Sequence, residues 1–412
     1  MKFRLALAAC TAALALTNIP AQAQDDPPAP PPFGGTALGE GPWDFHTEHG
    51  PIHVEVVARA ERPWGIVFLP EGGMLVTERV GRLRHIDAAG NLDPTPIGGL
   101  PAMYTFGIAG LKGIALHPDF ADNRLVYMAY SKVSPSDENV STLAVMRGRW
   151  EAGSHELTDV EDIFVADAWY GAMPLPERCC GQGPAFGSYG GRLLFDPDGN
   201  LFVTSGDRNY GENVQDPASH YGKIFRMTDE GEPVPGNPWI GWEGHEPLVW
   251  STGHRNPLGL AYNPYTGELW ESEFGPRGGD EVNRILRGGN YGWIEVTQGL
   301  HYDGTQMEHV RNVPGMIDPV LVFGPPSFNP GNLTFYTGDR LPGWERDMLL
   351  GSFTQGLLRY DTDNTGVPIG EPERLLRDLG QRWRDVQVAP DGSVYLLTDQ
   401  VEGAVLRLTA GE

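Results

Sequence analysis

The sequence predicts an all-β protein, a six-bladed β-propeller, and three observations lead to this fold class. An apolar strand, a turn centred on Pro, Asp or Gly and a second apolar strand recur six times along the 412 residues. The chain also holds 55 Gly and 36 Pro, which suits many tight turns, and no long stretch has helical periodicity. Because a single hairpin cannot bury both of its faces, the six copies are expected to stack on one another as blades.

The six copies share the strand–turn–strand pattern, and the fifth of them is the most degenerate. They are residues 64–78, 112–131, 191–207, 258–273, 332–353 and 384–399. Further strands are expected between them. We expect the long connections 134–190 and 208–250 to form loops on one face and to build the functional site, since binding residues commonly lie on loops held by a rigid scaffold.

The N-terminus precedes this domain and reads differently. In residues 1–23, Lys2 and Arg4 come before a short apolar run that ends at a small-x-small cleavage site, which predicts a secretory signal peptide and a periplasmic or secreted protein. Residues 24–42 are dominated by Pro and Gly and are predicted to be a disordered or extended leader. Residues 43–412 are then a single propeller domain. No later stretch approaches the roughly 20 apolar residues of a membrane span.

Net charge narrows the classes of partner. The chain carries 30 Lys+Arg against 54 Asp+Glu, a formal charge of −24. Such a surface repels phosphate backbones and anionic lipid, so neither nucleic acid nor membrane insertion is expected.

Cysteine content is low, with three in the chain. Cys10 falls within the signal peptide, which leaves the adjacent pair Cys179-Cys180. Three readings of the pair are open: a strained vicinal disulfide at the site, ligands for a soft metal, or no role. No Cys-x-x-Cys-His motif is present, so no covalent haem is expected and electrons would have to leave to an external acceptor.

Several motifs carry a family resemblance. In order along the chain they are PWGIVFLPEGGMLVTER, GLKGIALHPDF, GGRLLFDPDGNLFVTSGD, STGHRNPLGLAYNP, SEFGPRGGDEVNRILRGGNYGW and RWRDVQVAPDG. Together they span about residues 60–408 and resemble the soluble glucose/sorbosone dehydrogenases that depend on pyrroloquinoline quinone (PQQ), most of all the periplasmic aldose sugar dehydrogenases. The resemblance implies a six-bladed propeller, bound calcium, PQQ in a polar depression on one face, and oxidation of sugar hemiacetals.

Four residues correspond to the family's PQQ contacts. Arg255 and Asn256 match one pair, and Arg382 and Arg384 match an arginine pair of the same role. The chemistry is sound, because PQQ is a tricarboxylate and a guanidinium grips a carboxylate through two charge-assisted hydrogen bonds. Being two apart on a strand, Arg382 and Arg384 should point to one face. The alternative is that these arginines pair with nearby acids and only hold loops together.

Four further residues correspond to calcium ligands of the family. Gly275 and Pro276 match a turn whose carbonyls bind the calcium held by PQQ, and Glu281 and Tyr291 match positions that the aldose sugar dehydrogenases use for calcium. Oxygen ligands on a Gly-rich loop suit a hard cation that takes six to eight oxygens. The alternative for Glu281 is a hydrogen bond to the backbone of its own turn.

The sequence departs from the family pattern at the catalytic base. Ser188 stands where the family has a His, and a serine alone cannot accept a hydroxyl proton at working pH. Three cofactor positions differ as well: Ile108 replaces a Gln, Phe274 replaces Gln or His, and Thr354 stands near the place of a Lys.

Other residues are candidates for the missing base. Asp207 follows a strand where the family often carries a carboxylate that orients the base, although an acid at a strand end often caps a turn. His254 and His220 are possible replacements, and Tyr189 could serve only with a strongly lowered pKa.

Three functions remain open from the sequence. The leading interpretation is a secreted oxidoreductase that oxidises a sugar or another alcohol with PQQ and calcium. The second is a calcium-dependent propeller hydrolase or lyase without PQQ, in which calcium on Glu281 acts as a Lewis acid. The third is a binding propeller without catalysis.

Overall fold

The computed structural model describes residues 36–171, 187–307 and 312–412. The predicted signal peptide and the pair Cys179-Cys180 lie outside these ranges. The described residues form six antiparallel sheets of three to five strands.

Two strands precede the first blade, and each blade then follows in chain order. Strands β1 (Trp43–Thr47) and β2 (Gly50–Ala60) come first. Blade 1 contains β3 (Pro63–Phe68), β4 (Met74–Glu78) and β5 (Arg82–Ile86). Blade 2 contains β6 (Leu111–Leu116), β7 (Leu125–Ser134), β8 (Asp137–Arg149) and β9 (Thr158–Val165). Blade 3 contains β10 (Gly190–Phe195), β11 (Leu201–Ser205), β12 (Lys223–Met227) and β13 (Val249–Thr252).

The last three blades also follow one another in chain order. Blade 4 contains β14 (Pro257–Asn263), β15 (Glu268–Glu273), β16 (Asp280–Ile285) and β17 (Leu321–Phe323). Blade 5 contains β18 (Pro330–Phe335), β19 (Met348–Ser352), β20 (Leu357–Tyr360) and β21 (Glu373–Leu375). Blade 6 contains β22 (Trp383–Val388), β23 (Val394–Thr398) and β24 (Gly403–Ala410), and the N-terminal strands β2 and β1 complete it as a sheet of five strands. Helical structure in the described part is limited to α1 (Phe120–Asn123) and two 3₁₀ turns, Gly211–Asn213 and Arg377–Leu379.

The predicted six-bladed propeller is confirmed, and each sequence repeat forms the first two strands of one blade. The first strands of the blades contact one another in order, and β22 contacts β3, so the ring of inner strands is closed. The N-terminal strand β2 pairs with the C-terminal β24, and this pairing joins the two ends of the chain in blade 6. Closure of this kind leaves few open sheet edges.

Close packing of the inner strands explains the glycines near their starts. A Cβ on Gly113 of β6 would lie 2.4 Å from the carbonyl oxygen of Gly191 in blade 3, and one on Gly331 of β18 would lie 2.2 Å from the carbonyl oxygen of Trp383 in blade 6. All six inner strands also have a register shift near their first residues. Such shifts turn side chains at the strand start toward the central axis.

The hydrophobic core lies between neighbouring blades. One cluster joins blades 4 and 5 through Trp270, Leu333 and Leu350, and another joins blades 2 and 3 through Tyr127 and Phe225. Full burial of one such large apolar side chain contributes about 1.5–3 kcal/mol. A rigid ring of blades therefore supports whatever its central end carries.

The last part of the predicted leader contacts the propeller. Leu38 is buried in the core of blades 5 and 6, and the side-chain amide of Gln381 donates a 2.9 Å hydrogen bond to the carbonyl of Thr36. These contacts place residues 36–42 along the surface of the domain. No helix among the described residues is long and apolar enough to cross a membrane.

The expectation for the long connections is wrong. Segments 134–190 and 208–250 mainly supply outer strands, namely β8, β9, β12 and β13. Of their described residues, only 188–190 line the central cavity described below. The outer strands are needed because each repeat hairpin is only the inner half of a blade.

Candidate active site

A cavity of about 230 Å³ lies where the six inner strands begin. Each blade contributes a residue at or next to the start of its inner strand. These are Trp64, Lys112, Gly190, Leu258, Asn329 and Arg384. The cavity therefore lies on the propeller axis, where the starts of the six inner strands meet.

Most of the residues predicted from the family motifs meet in this cavity. The lining includes Ser188, Arg255, Asn256, Gly275, Pro276, Arg382 and Arg384, together with the replaced positions Ile108 and Phe274. Asp207, Glu281, Tyr291 and Thr354 lie outside the lining. Thr354 donates hydrogen bonds to the carbonyls of Ser327 and Phe328, so it holds a neighbouring loop.

Arg382 and Arg384 enter the cavity from the start of β22, as their spacing indicated, and both contact one buried acid. Asp399 lies 3.3 Å from Nη2 of Arg382, 3.0 Å from Nη2 of Arg384 and 3.3 Å from Nη1 of Arg79. These three guanidinium groups hold the pKa of the Asp399 carboxyl well below its usual range despite burial. One carboxylate thus serves three arginines, which leaves a local excess of positive charge.

Two of the nearby guanidinium groups have donors left over. Within the described ranges, Nε of Arg384 and Nη2 of Arg192 are buried without a hydrogen-bond partner. Arg384 lies over the Phe353 ring at 4.5 Å, and Arg192 lies over the Trp64 ring at 4.4 Å, so aromatic faces hold both cations in position. Buried donors without a partner are rare in proteins, and the one on Arg384, which lines the cavity, indicates a site for an acceptor.

Arg255 and Asn256 are fixed by backbone and side-chain contacts. The carboxylate of Glu273 accepts hydrogen bonds from the backbone N–H of Arg255 at 2.5 Å and of Asn256 at 3.2 Å. Nη1 of Arg255 donates to the carbonyls of Gly275 at 2.8 Å and Phe274 at 3.1 Å. A guanidinium therefore already lies in front of the Gly275 carbonyl that was predicted to bind calcium.

Ser188 lies in the cavity wall, and Asp207 lies directly behind it. The Asp207 carboxylate accepts hydrogen bonds from Nε1 of Trp293 at 2.7 Å and from the backbone N–H of Asn209 at 2.9 Å, and the neighbouring Ser188 side chain acts to lower its pKa. Burial raises the pKa of Asp207, while the neighbouring Arg255 opposes this rise. Asp207 is fully buried, and Ser188 lies between its carboxylate and the cavity.

The other candidate bases lack the required properties. Tyr189 would need a lowered pKa, but burial raises its pKa to about 12, so this candidate is wrong. Burial lowers the pKa of His254 to about 3, and His254 lies outside the cavity lining. His220 makes hydrogen bonds with Glu246 and with the backbone N–H of Asp167, which is a structural role.

A second buried site, the acidic cluster, lies on blade 4. It consists of Glu271, Glu273, Glu281 and Asn283. In the β15–β16 ladder Glu273 is paired with Glu281 and Glu271 with Asn283, so the four side chains share one face of the sheet. Nδ2 of Asn283 donates to the carboxylates of Glu271 at 3.1 Å and Glu281 at 3.2 Å. His254 lies beside the cluster, with Nδ1 3.8 Å from Glu273.

The acidic cluster is short of positive charge. Burial and the neighbouring carboxylates raise the pKa values of Glu271 and Glu281, and burial raises the pKa of Glu273 to about 8. Oε1 of Glu271, Oδ1 of Asn283 and Nδ1 of His254 have no hydrogen-bond partner in the described part of the chain. His254, Glu271 and Glu273 present ligand atoms within 4.8 Å of one another, a spacing that can hold a metal ion.

Of the predicted calcium ligands, only Glu281 belongs to this cluster. Gly275 and Pro276 line the axial cavity, and Tyr291 lies beside the cluster. The Tyr291 hydroxyl donates to the carbonyl of Arg284 at 2.6 Å and accepts from the backbone N–H of Leu286 at 2.8 Å, so it is engaged with the backbone. The ring of Tyr291 stacks on His254 at 4.9 Å. Sequence reasoning missed Glu271 and Glu273, although their spacing of two residues on a strand was a signal that they share a face.

Comparisons with known proteins show the family of the chain. Residues 60–407 match the model of the glucose/sorbosone dehydrogenase family. The chain is 36% identical over 362 residues to aldose sugar dehydrogenase YliI of Escherichia coli (strain K12), an alignment that covers 87% of this chain and 93% of that protein.

Solved structures of similar proteins have the same fold. A crystal structure of a glucose dehydrogenase matches with a TM-score of 0.78 and 38% identity, covering 87% of this chain and 99% of that one. The PQQ-bound form of aldose sugar dehydrogenase from Streptomyces coelicolor matches with a TM-score of 0.68 and 28% identity, covering 87% and 98%. The chain therefore belongs to the glucose/sorbosone dehydrogenase family.

Proposed function

We propose that this protein is a PQQ- and calcium-dependent dehydrogenase that oxidises the anomeric hydroxyl of an aldose, in the periplasm or outside the cell, and passes the electrons to an external acceptor. The observation that carries the proposal is the axial cavity, where Arg255, Arg382 and Arg384 converge and where, among the described residues, Asp399 is the buried carboxylate that contacts the last two. A cavity with excess buried cations fits a polyanion, and PQQ carries three carboxylates.

The donor set of the cavity fits PQQ. Arg384 has a buried Nε that lacks a partner within the described residues, and the guanidinium planes of Arg382 and Arg384 are held 4.3 and 4.5 Å from the Phe353 ring. Arg255, Asn256, Arg382 and Arg384 would hold the cofactor through its carboxylates and carbonyls. PQQ, when bound, would supply a two-electron acceptor for the hydride of the sugar.

The acidic cluster fits calcium. Three buried carboxylates on one face cannot all ionise without a cation, and oxygens of Glu271 and Asn283 lack partners in the described ranges. Hard cations with oxygen ligands suit this set. Glu271, Glu273, Glu281 and Oδ1 of Asn283 would hold the ion. Because Glu273 also binds the backbone N–H groups of Arg255 and Asn256, calcium here would hold the arginine loop in place.

Proton transfer falls to Ser188 and Asp207. The Ser188 hydroxyl accepts a hydrogen bond from the sugar hydroxyl and donates its own to Asp207. As the sugar C–H bond breaks, the sugar proton moves to Ser188 Oγ and the serine proton moves to the Asp207 carboxylate. Burial makes Asp207 a stronger base than an exposed aspartate, and Trp293 and Asn209 hold it in place.

The geometry does not favour the hydrolase interpretation. A calcium ion acting as Lewis acid needs an open coordination position in contact with substrate. Glu281, Glu271 and Glu273 are buried and lie outside the lining of the cavity.

Turnover by the reconstituted protein tests the proposal. The purified chain is loaded with calcium and PQQ, and reduction of an electron-accepting dye is followed with a panel of aldoses, alditols and simple alcohols. We expect dye reduction with aldoses that requires both PQQ and calcium. Tight PQQ binding without oxidation of any sugar or alcohol would contradict the dehydrogenase proposal and favour a binding propeller.

A further inference from the structure

Lys112 is a buried lysine in the cavity wall that neither the motifs nor the proposed mechanism uses. It is the second residue of β6, and its side chain crosses Gly191 to lie 5.0 Å from the Tyr189 ring centroid and 5.9 Å from the Trp64 ring. Nζ donates one hydrogen bond, 2.8 Å long, to the carbonyl of Ile108. Of the three donors of an ammonium group, two are left for a ligand.

The other described lysines have different surroundings. Lys132 forms an ion pair with Asp162 at 2.5 Å. Nζ of Lys223 donates to the carbonyls of Val214 and Tyr221, both at 2.7 Å. Within the described ranges no ion pair joins Lys112 to a carboxylate. A buried lysine without a counterion is unusual, and an anionic ligand would supply one.

The charges around Lys112 are mostly of its own sign. Arg79 after β4, Arg208 after β11 and Arg384 on β22 all disfavour a further positive charge at Nζ. The one acid that favours it, Asp399 after β23, already contacts three arginines. Together with full burial, these cations hold the pKa of Lys112 well below its ordinary range.

The remaining titratable neighbour is the Tyr189 phenol. It shares a 2.7 Å hydrogen bond with Ser141, and burial keeps its pKa at about 12. Tyr189 is therefore neutral across the ordinary pH range and does not compensate a charge on Lys112.

We propose that Lys112 is an anion-binding residue of this cavity, and that it takes up a proton when a carboxylate of the ligand arrives beside it. The proposal rests on the proposed function in taking PQQ as that ligand. It also accounts for the departure at Ile108, where a polar contact of the family pattern is absent. The Lys112 amine lies against the Ile108 backbone and supplies a donor in that part of the wall.

The proposal predicts how PQQ affinity depends on pH. An anion beside Nζ offsets the repulsion from the arginines and raises the pKa of Lys112. Between the pKa of the free protein and that of the complex, binding then takes up one proton. In that interval the affinity falls by about tenfold for each unit that the pH rises. Below the pKa of the free protein the amine is already charged and the dependence disappears.

Lysine NMR tests this directly because the whole chain has only four lysines, Lys2, Lys112, Lys132 and Lys223. The full chain labelled with ¹³C at lysine Cε is titrated with acid and base, with and without PQQ. Lys112→Met identifies the signal, and Lys132→Met is the matched control. We expect the Lys112 signal to titrate well below the ordinary lysine value in the free protein and to titrate at a higher pH when PQQ is added, while Lys223 is unchanged.

Calorimetry in two buffers with different ionisation enthalpies measures the proton itself. We expect uptake of about one proton with wild type and Lys132→Met, and uptake near zero with Lys112→Met. Lys112→Arg should bind PQQ without proton uptake, since a guanidinium is already charged. This second variant keeps the test decisive if the Met variant fails to fold.

Two results would overturn the proposal: a Lys112 signal that titrates at the ordinary lysine value in the free protein, or unchanged proton uptake in Lys112→Met. If folded protein binds no PQQ, the proposed function fails. Trimesate, an aromatic tricarboxylate without the quinone, then tests Lys112 alone. A charged Lys112 signal with trimesate supports an anion site, and an unchanged signal contradicts it.

Discussion

The propeller buries charge of opposite sign in two neighbouring regions. In the axial cavity Arg79, Arg382 and Arg384 share the single carboxylate of Asp399. In the acidic cluster Glu271, Glu273 and Glu281 face one amide and a histidine that burial keeps neutral. The first region is short of negative charge and the second is short of positive charge, and each has buried polar atoms without partners in the described ranges.

The two regions do not neutralise each other, although they are connected. Glu273 binds the backbone N–H of Arg255, and the guanidinium of Arg255 turns away to the carbonyls of Phe274 and Gly275. Because uncompensated buried charge is strongly unfavourable, each region would be stabilised by its own ligand of opposite charge. The difference indicates an anion for the cavity and a cation for the cluster, which is the pair that PQQ and calcium supply.

The largest expected effect is at Asp207, which lies at the junction of the two regions. Asp207→Asn should lower kcat by about 10²–10⁴-fold, because the amide cannot accept the proton relayed by Ser188. PQQ affinity should change little, and the dependence of the remaining rate on the Asp207 pKa should disappear from the pH profile. Steady-state kinetics with calorimetry separates these effects, and Asp198→Asn, an exposed position, is the control. An unchanged kcat would exclude Asp207 as the proton acceptor.

On the cavity side, Arg384→Met should weaken PQQ binding by about 3 kcal/mol, or roughly a hundredfold. The loss has two sources, the missing donor and the repulsion between the ligand and the freed Asp399. Calorimetry measures it, with Arg340→Met as a control because Arg340 is half-exposed and pairs with Asp391 far from the lining. Equal affinity in the two variants would mean that the cavity cations do not bind the ligand.

On the cluster side, Glu281→Gln should reduce the stabilisation by calcium and raise the stability of the chelated protein. In wild type, calcium at a hundredfold excess over its Kd should stabilise by about 2.7 kcal/mol. Glu281→Gln should lose most of that gain, yet with chelator it should be about 1 kcal/mol more stable than wild type, because one buried carboxylate is gone. Thermal unfolding with calcium and with chelator measures both. Glu268→Gln, which removes a partly exposed acid on the neighbouring strand β15, is the control.

The acidic cluster also predicts how the stability of the chelated protein depends on pH. Burial raises the pKa of Glu273 from 4.5 to about 8, so the folded state holds a proton that the unfolded state releases. The free energy of unfolding should therefore fall as the pH rises from about 4.5 to about 8. Calcium should flatten this slope. Denaturant unfolding at several pH values measures this slope. An equal slope with and without calcium would mean that calcium does not bind at the acidic cluster.

The fold and half of the site could be predicted from the sequence, because the features that reveal them lie within short continuous segments of the chain. Each repeat is one hairpin, so residues such as 258–273 reveal a blade without knowledge of the others. Arg255 and Arg384 are in motifs and were identified. Lys112 also lies in a motif, GLKGIALHPDF, but was not identified, because the pattern is that of an ordinary strand and only the ring closure shows that this position faces the axis.

The cluster and the shared acid were missed for a related reason. Glu271 and Glu273 alternate with Trp270 and Ser272 as acids do on a solvent-facing strand, and their burial comes from neighbouring strands and loops. Asp399 ends the sixth repeat like any acid that caps a turn. Its three arginines come from sequence positions up to 320 residues away, so their meeting is a property of the closed ring.

The most direct test of the account is a titration of the calcium-loaded protein with PQQ, followed by visible absorbance and by calorimetry, and repeated after chelation. The account predicts one PQQ per chain, bound tightly with calcium and more weakly without it. Calcium would fix Glu273, which accepts hydrogen bonds from the Arg255 loop, so its removal should loosen that loop. Absence of binding at micromolar PQQ to folded, calcium-loaded protein would contradict it, and the cations of the cavity would then serve a different anion.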